Sequence, residues 1–465
     1  MSPSLSYDLI VIGSGPAGQK AAIQGAKSGQ RVALIEQNRE VGGACVYQGT
    51  IPSKTLRESA LQMVQFLHAT DVFEFRLRDD VKIATLMTRL NTVVRAHGAF
   101  MAEQIARNGI NRLHGRAQFV SDREILVRHV DGTTTTIVGN IVVIATGSRP
   151  RIPDHIPIDH EHILDSDSIL SLVYLPKSLT VLGGGVIASE YASIFALLGV
   201  QVTMIDTADR PLKFLDPELT DQFRAAFEKT GGRYRGQRKI QSAAWDGFSK
   251  VITRLENEET LESEKMLVAL GRVANIEHLT IQAAGLTPTP RGLIAVNDHC
   301  QTLVPHIYAV GDVIGPPSLA SCSMEQGRRA ICHALGLHPG DAPEHIPMGI
   351  YTIPEMSSVG LSEQDAVEKF GGVLIGRARF HEIARGQISG MTNGLLKMVA
   401  DAKGEKLLGV HIVGEGATEL IHIGQLGLLH DMPIDRFIDN IFNFPTLAEA
   451  YRVAALDIAK HRRKL

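Results

Sequence analysis

The sequence predicts an α/β protein in which one nucleotide-binding unit is inserted into another, followed by a separate C-terminal domain. Three observations predict it. Residues 7–12 form a short apolar run that feeds directly into GSGPAG and then an alanine-rich helical stretch to Ser28, a strand–turn–helix unit. A similar block recurs at residues 178–206, SLTVLGGGVIASEYASIFALLGVQVTMID. In both blocks an acidic residue lies 23 positions after the first glycine, Gly13 to Glu36 and Gly183 to Asp206.

The remaining elements follow in order. A second strand over residues 31–35 ends on Glu36, and residues 71–140 read as helices followed by short strands around RAQFV and REILVRHV. The apolar run IVVIATGSRP comes next, with Pro150 and Pro153 marking a crossover. After the second unit, GLIAVNDHCQTLVPHIYAVGD reads as strands returning to the first domain. From about residue 346 a strand-rich stretch, YTIPEMSSVG, precedes amphipathic helices and the basic tail KHRRKL. The expected domains are 1–150 with 276–345, then 151–275, then 346–465.

Bulk properties narrow the function classes. A chain of 465 residues holds about three domains by the usual domain size. Hydrophobic residues at 44%, charged residues at 21% and a formal charge of −3 place it near the soluble average, with no basic excess for nucleic acid. The 44 glycines are the compositional excess and point to backbone that turns tightly or approaches a ligand. No secretory leader and no membrane-length apolar run is evident, so the expected location is the cytoplasm. Four cysteines, Cys45, Cys300, Cys322 and Cys332, are too few and scattered for a disulfide framework or a metal site.

Gly13, Gly15 and Gly18 meet three separate demands: a tight turn after the strand, close backbone approach to a pyrophosphate, and close packing of helix on sheet. Glu36 is of the type and at the distance to accept hydrogen bonds from an adenosine ribose. The second loop repeats the pattern with Gly183, Gly185 and Ala188, and Asp206 stands where Glu36 does. Asp206 suits a ribose 2′-OH and repels a 2′-phosphate unless cations compensate, so NAD(H) is expected there and NADP(H) use stays open. Arg210 and Lys213 are either phosphate-reaching cations or exposed loop residues. His114, His411 and His422 receive no role. Arg377, Arg379 and Arg385 form a basic cluster, either a solvated face or part of a subunit contact.

At VGGACVYQGTIPSK, residues 41–54, the chain resembles the flavin disulfide reductases, which include dihydrolipoamide dehydrogenase and glutathione reductase. ATG at 145–147, GRVAN at 271–275, YAVGD at 308–312, YTIPEMSSVG at 351–360 and PTLAEA at 445–450 extend the resemblance over nearly the whole chain. The resemblance implies two Rossmann-like domains and a C-terminal α+β domain that forms a homodimer, the partner's C-terminal segment completing each site. It implies FAD on the first unit, with contacts on Cys45, Thr50, Lys54, Gly115, Thr146, Gly147, Asp312 and Ala320, Asp312 meeting the ribityl chain. It implies a nicotinamide nucleotide on the second unit, Gly271 included.

Two departures redirect the chemistry. The family's second cysteine is here Thr50, which cannot relay electrons as a thiolate. Cys45 is then a mixed-disulfide or sulfenate centre or, the preferred reading, an inert remnant. The histidine base before Pro-Thr is here Phe444, which leaves Glu449 a structural role. What the resemblance retains is Lys54 beside flavin N5 and Glu190 as its ion-pair partner, the expected catalytic pair. GTIPSKTLRE and FNFPTLAEAYRVAAL look like the soluble pyridine nucleotide transhydrogenases, which implies hydride passing from NADPH through the flavin to NAD⁺. Asp206 supports an alternative, an NADH-preferring flavin reductase or oxidase acting on a quinone, oxygen or another small acceptor. A dihydrolipoamide dehydrogenase-like enzyme and a non-catalytic flavoprotein are the remaining readings.

Overall fold

The structure, a computed structural model, describes residues 5–68 and 83–462. The part of the helical reading that falls on residues 71–82, and the last three residues of the basic tail, lie outside the described residues. No helix among the described residues is long and apolar enough to cross a membrane.

The first sheet is built on the strand Leu5–Ile12, whose Leu9, Ile10 and Val11 are fully buried. A strand covered on both faces is apolar throughout rather than alternating, which explains the uninterrupted run. It pairs in parallel with Val32–Glu36 on one side and Thr134–Ile144 on the other, so its carboxyl end is a topological switch point. The helix Pro16–Lys27 follows at once, with Pro16 in its first turn where no intrahelical N–H is needed.

The chain leaves this sheet through Ser148–Pro150 and comes back through Arg272–Ala274, two segments paired antiparallel. Between them lies a second sheet, parallel throughout where the first is mixed, ordered Arg233–Arg235, Gln201–Ile205, Ser178–Leu182, Lys265–Val268, Ile163–Leu164. The helix Val186–Leu197 follows Ser178–Leu182 as Pro16–Lys27 follows Leu5–Ile12, so the repeated sequence block is a repeated structure.

One expectation fails in detail. In the stretch from Gly292 to Asp312, read as several strands, Ile307–Ala309 is the one strand among the described residues. It pairs in parallel with Thr134–Ile144 and does return the chain to the first sheet. Upstream, the Asn297 carboxamide oxygen accepts the N–H groups of His299 and Gln301, each at 3.0 Å, which bends the backbone into a turn instead of a ladder.

The C-terminal domain is a five-stranded antiparallel sheet ordered Met348–Ile350, Met356–Gly360, Leu407–Val413, Leu395–Asp401, Val373–Arg379. The helix Glu449–Arg462 lies on it, and Ala417–Leu429 packs against its Leu407–Val413 and Met356–Gly360 strands. Lys397, in the strand Leu395–Asp401, is buried yet charged: its Nζ lies 2.8 Å from Asp216, 2.7 Å from Glu218 and 2.6 Å from Glu363. Burial opposes that charge, and the three carboxylates more than offset it, holding the lysine above its ordinary range. Asp216 also caps the helix Pro217–Lys229 by accepting the Glu218 N–H, so the network fastens the second unit to the C-terminal sheet.

Arg377 joins this network, its Nη2 2.6 Å from Glu218, so it is part of the ion-pair cluster between the second unit and the C-terminal sheet. Arg379 and Arg385 are exposed. Hydrogen bonds from Arg377 and then Lys397 hold the Glu218 carboxyl down at about 2. Because the folded value is depressed, the stability it contributes is present above the ordinary carboxylate range and is lost as pH falls towards about 2. Chemical denaturation across that range should show the loss in the wild type and a smaller loss in Glu218→Gln. Lys397→Ala, which leaves Asp216 buried and unpaired, should destabilise by about 3–5 kcal/mol.

Candidate functional site

At the carboxyl end of Leu5–Ile12 the three glycines do three different things. Gly13 has φ +102°, and any Cβ there would overlap the Ala145 carbonyl oxygen. A Cβ on Gly18 would overlap the Gly13 carbonyl oxygen, so the helix could not approach the strand. Gly15 has open space over it, leaving the helix N-terminus accessible. Ser14, which no glycine spacing singles out, is fully buried: its N–H and Oγ donate to Glu36 Oε2 at 3.0 and 2.6 Å, and its Oγ accepts the Gly42 N–H at 3.1 Å. It fixes the carboxylate and ties the loop to the VGG turn.

Around this cradle, the Gly115 N–H donates to the Glu36 carbonyl at 2.9 Å. Gly147 has φ +66° and open space, and Thr146 Oγ1 is buried with no hydrogen-bond partner among the described residues. Asp312 accepts the Ser148 Oγ–H at 2.6 Å, and Arg272 Nε donates to the same hydroxyl at 2.8 Å. Ala320 opens the helix Ala320–Ala334, which packs on Pro16–Lys27 where Gly327 meets Ala17. An orphaned buried hydroxyl, an open helix N-terminus and a buried carboxylate beside it fit a dinucleotide better than they fit solvent.

Lys54, from the helix Thr50–His68, and Glu190, from Val186–Leu197, bring the two units together. Lys54 Nζ donates to Glu190 Oε2 at 2.7 Å and Oε1 at 2.9 Å. The C-terminal domain adds Tyr351, whose N–H donates to Glu190 Oε1 at 2.9 Å and whose ring centroid lies 4.7 Å from the ammonium. The carboxylate is 6% exposed and the ammonium 25%, so the lysine keeps one open side.

Cys45 sits in the short helix Gly43–Tyr47 beside Thr50. Burial pushes its thiol above the ordinary range, against the Thr50 hydrogen bond and the Lys54 charge, which pull it down. A thiol held protonated is a poor nucleophile, in line with an inert residue. Phe444 is 75% exposed, and Glu449 accepts the Thr446 N–H at 3.2 Å at the start of the last helix.

In the second loop a Cβ on Gly183 would lie 2.6 Å from the Ala269 carbonyl oxygen, while Gly185 and Gly271 face open space and Ala188 is fully buried. The middle residue, Gly184, has its own reason: a Cβ there would overlap the Asp206 carboxylate. Asp206 Oδ1 accepts the Thr207 N–H at 2.7 Å. Arg210 donates to the carbonyls of Lys213 and Leu215 at 2.9 and 3.2 Å, and Lys213 lies 3.6 Å from Asp209, so both cations are engaged within their own loop. His411 is buried between Ser358 and Leu361, and His422 bonds Gln425.

Two nucleotide-type α/β units meeting at a lysine–glutamate pair, with a third domain built on an antiparallel sheet contributing Tyr351 to it, define a dinucleotide-dependent oxidoreductase architecture. Residues 7–327 match the pyridine nucleotide-disulphide oxidoreductase family and residues 346–455 its dimerisation domain, and the chain belongs to that family. It is 41% identical over 462 residues to a soluble pyridine nucleotide transhydrogenase of Mycobacterium tuberculosis (strain ATCC 25177 / H37Ra), covering 99% of this chain and 98% of that one. It is 42% identical over 466 residues to the protein of that name from Enterobacter sp. (strain 638), covering 98% and 99%. Among solved structures, the HOCl-induced flavoprotein disulfide reductase RclA of Escherichia coli superposes with a TM-score of 0.88 at 27% identity, covering 97% of this chain and 99% of RclA. LpdA of Mycobacterium tuberculosis superposes with a TM-score of 0.89 at 26% identity, covering 98% and 99%.

Two expected outcomes test the thiol. Alkylation of Cys45 by iodoacetamide, followed by mass spectrometry, should be slow at neutral pH and accelerate only well into the alkaline range. Thr50→Cys should lose two titratable thiols on mild oxidation yet gain no lipoamide turnover, because Phe444 carries no proton.

Proposed function

We propose that this chain holds FAD on its first unit and moves hydride between NADPH and NAD⁺ in turn at one nicotinamide site, without a protein thiol. The observation that carries the reading is the Lys54–Glu190 pair, intact at the junction of three domains with its carboxylate buried and its lysine open on one side, in a chain with Thr50 and Phe444 where dithiol chemistry needs a cysteine and a histidine. The name that its relatives carry supports it.

The chemistry that bound FAD would supply is hydride exchange with a nicotinamide. Gly13, Gly15, the helix N-terminus at Pro16 and Glu36 would hold its adenosine diphosphate half, and Thr146, Gly147 and Asp312 the rest. Lys54 provides a fixed positive charge where negative charge collects on reduction, and Glu190 anchors that ammonium while limiting its net charge. Gly183, Gly185 and Asp206 would seat the nicotinamide nucleotide. Hydride transfer demands position rather than a proton carrier, so Phe444 is no loss.

The dimerisation-domain match supports a homo-oligomer, and the reading includes a homodimer in the cytoplasm. Exposed Ile441, Phe444, Leu426 and Leu429 near the chain's end supply apolar surface for that contact. A second reading, an NADH-preferring reductase with a quinone or oxygen as acceptor, is favoured by the Asp206 carboxylate and the engagement of Arg210 and Lys213 elsewhere.

Purified protein mixed anaerobically with NADPH and thio-NAD⁺ should form thio-NADH and turn over no lipoamide. Reduction by NADH alone, with reoxidation by a quinone alone, would replace this reading with the second. Lys54→Met should keep the yellow chromophore and slow its bleaching by NADPH about a hundredfold in stopped flow.

A further inference from the structure

A site that accepts both nucleotides must set a cation against the Asp206 carboxylate, which repels a 2′-phosphate. Of the cations nearest in sequence, Arg210 donates to two carbonyls of its own loop, and Lys213 lies on the exposed side of that loop, 3.6 Å from Asp209. Tertiary structure brings two others to the same strand end. Ile205 is in register with Arg235 on the neighbouring parallel strand, and the Asp206 N–H donates to the Arg235 carbonyl at 3.1 Å. The Arg238 N–H then donates to the Asp206 carbonyl at 2.9 Å. The turn between them is held firmly: Gln237 N–H and Tyr234 Oη donate to the Ala208 carbonyl at 3.0 and 3.1 Å, and a Cβ on Gly236 would lie 2.6 Å from that same oxygen.

Both guanidinium groups face Glu259. Arg235 Nη1 makes a direct ion pair with it, whereas Arg238 Nε is 4.0 Å away and its Nη1 donates to the Gln237 carbonyl at 3.2 Å. The Arg238 side chain is 43% exposed, and an exposed pair at that distance contributes little. Glu259 is therefore satisfied by Arg235 with or without Arg238.

We infer that Arg238 is the ligand for the 2′-phosphate of NADP(H), swinging from Glu259 across Asp206, while Arg235 neutralises Glu259 and keeps it from competing. The inference rests on the proposed two-nucleotide function and names the subsite that function requires. A guanidinium suits the task because its planar fork matches phosphate oxygens in pairs. NADH needs none of this, since Asp206 meets its free ribose hydroxyl.

Calorimetric titration with 2′,5′-ADP and with ADP separates the phosphate from the rest of the nucleotide and involves no flavin chemistry. Arg238→Ala should weaken 2′,5′-ADP about tenfold and leave ADP unchanged, with partial rescue in Arg238→Lys. Glu259→Gln should tighten 2′,5′-ADP severalfold, and the wild-type affinity should fall with added salt. Unchanged 2′,5′-ADP binding in Arg238→Ala, or an equal loss for both ligands, overturns the inference. The two readings fail separately: thio-NADH formation from NADPH with a neutral Arg238→Ala refutes only the subsite, and Arg238-dependent 2′,5′-ADP binding without thio-NADH refutes only the function.

Discussion

The junction of the three domains turns on one ion pair, Lys54 with Glu190. The carboxylate is nearly excluded from water, so it must find partners within the protein, and it takes one from each of two other domains. The ammonium comes from the first unit, and the Tyr351 N–H comes from the C-terminal domain. Losing either would leave a buried charge short of a donor, so this one carboxylate ties together all three domains. The helix of Glu190 reinforces this one turn later, where Ser193 Oγ accepts the Ile353 N–H at 3.1 Å.

The helix that carries Lys54 is itself doubly anchored. One turn on, Arg57 is buried and donates through Nε to the Thr352 carbonyl at 3.0 Å, with Nη2 lying 3.4 Å from Glu355 and 3.5 Å from Glu415. Burial raises the Glu355 carboxyl above its ordinary range despite the nearby guanidinium, a sign that the cluster is held by enclosure as much as by charge balance. Lys397 does the same at the far side of the second unit. Charged groups at domain seams thus do the orienting, while apolar packing forms each domain's interior.

Much of the site is legible in the amino-acid sequence. Gly13, Gly15, Gly18 and Glu36, and their repeat in Gly183, Gly185, Ala188 and Asp206, show themselves because turn, approach and packing impose residue types at fixed local spacing. Lys54 and Glu190 are recognisable instead through a family resemblance, because 136 residues separate them and no local pattern couples them. Ser14 and Gly184 escape notice although each lies inside a glycine loop: one is buried under Glu36, the other under Asp206, and only the folded loop reveals a reason for them. Arg377 looks like a surface or subunit-contact cation in sequence because its partner, Glu218, lies 159 residues upstream.

The sequence by itself determined the two strand–glycine–helix units, the acid at the end of each second strand, and the absence of a second cysteine and a histidine base. The units and their acids rest on residue type and short-range geometry, which the chain carries wherever it folds, and the two missing groups show only against the resembled family. Tertiary structure alone decided that Tyr351 would reach Glu190, that Lys397 would be buried among three carboxylates, and that the backbones of Arg235 and Arg238 would bond to that of Asp206. The reason is that ion pairs between elements depend on strand order and domain docking, and neither is encoded at any fixed spacing along the chain.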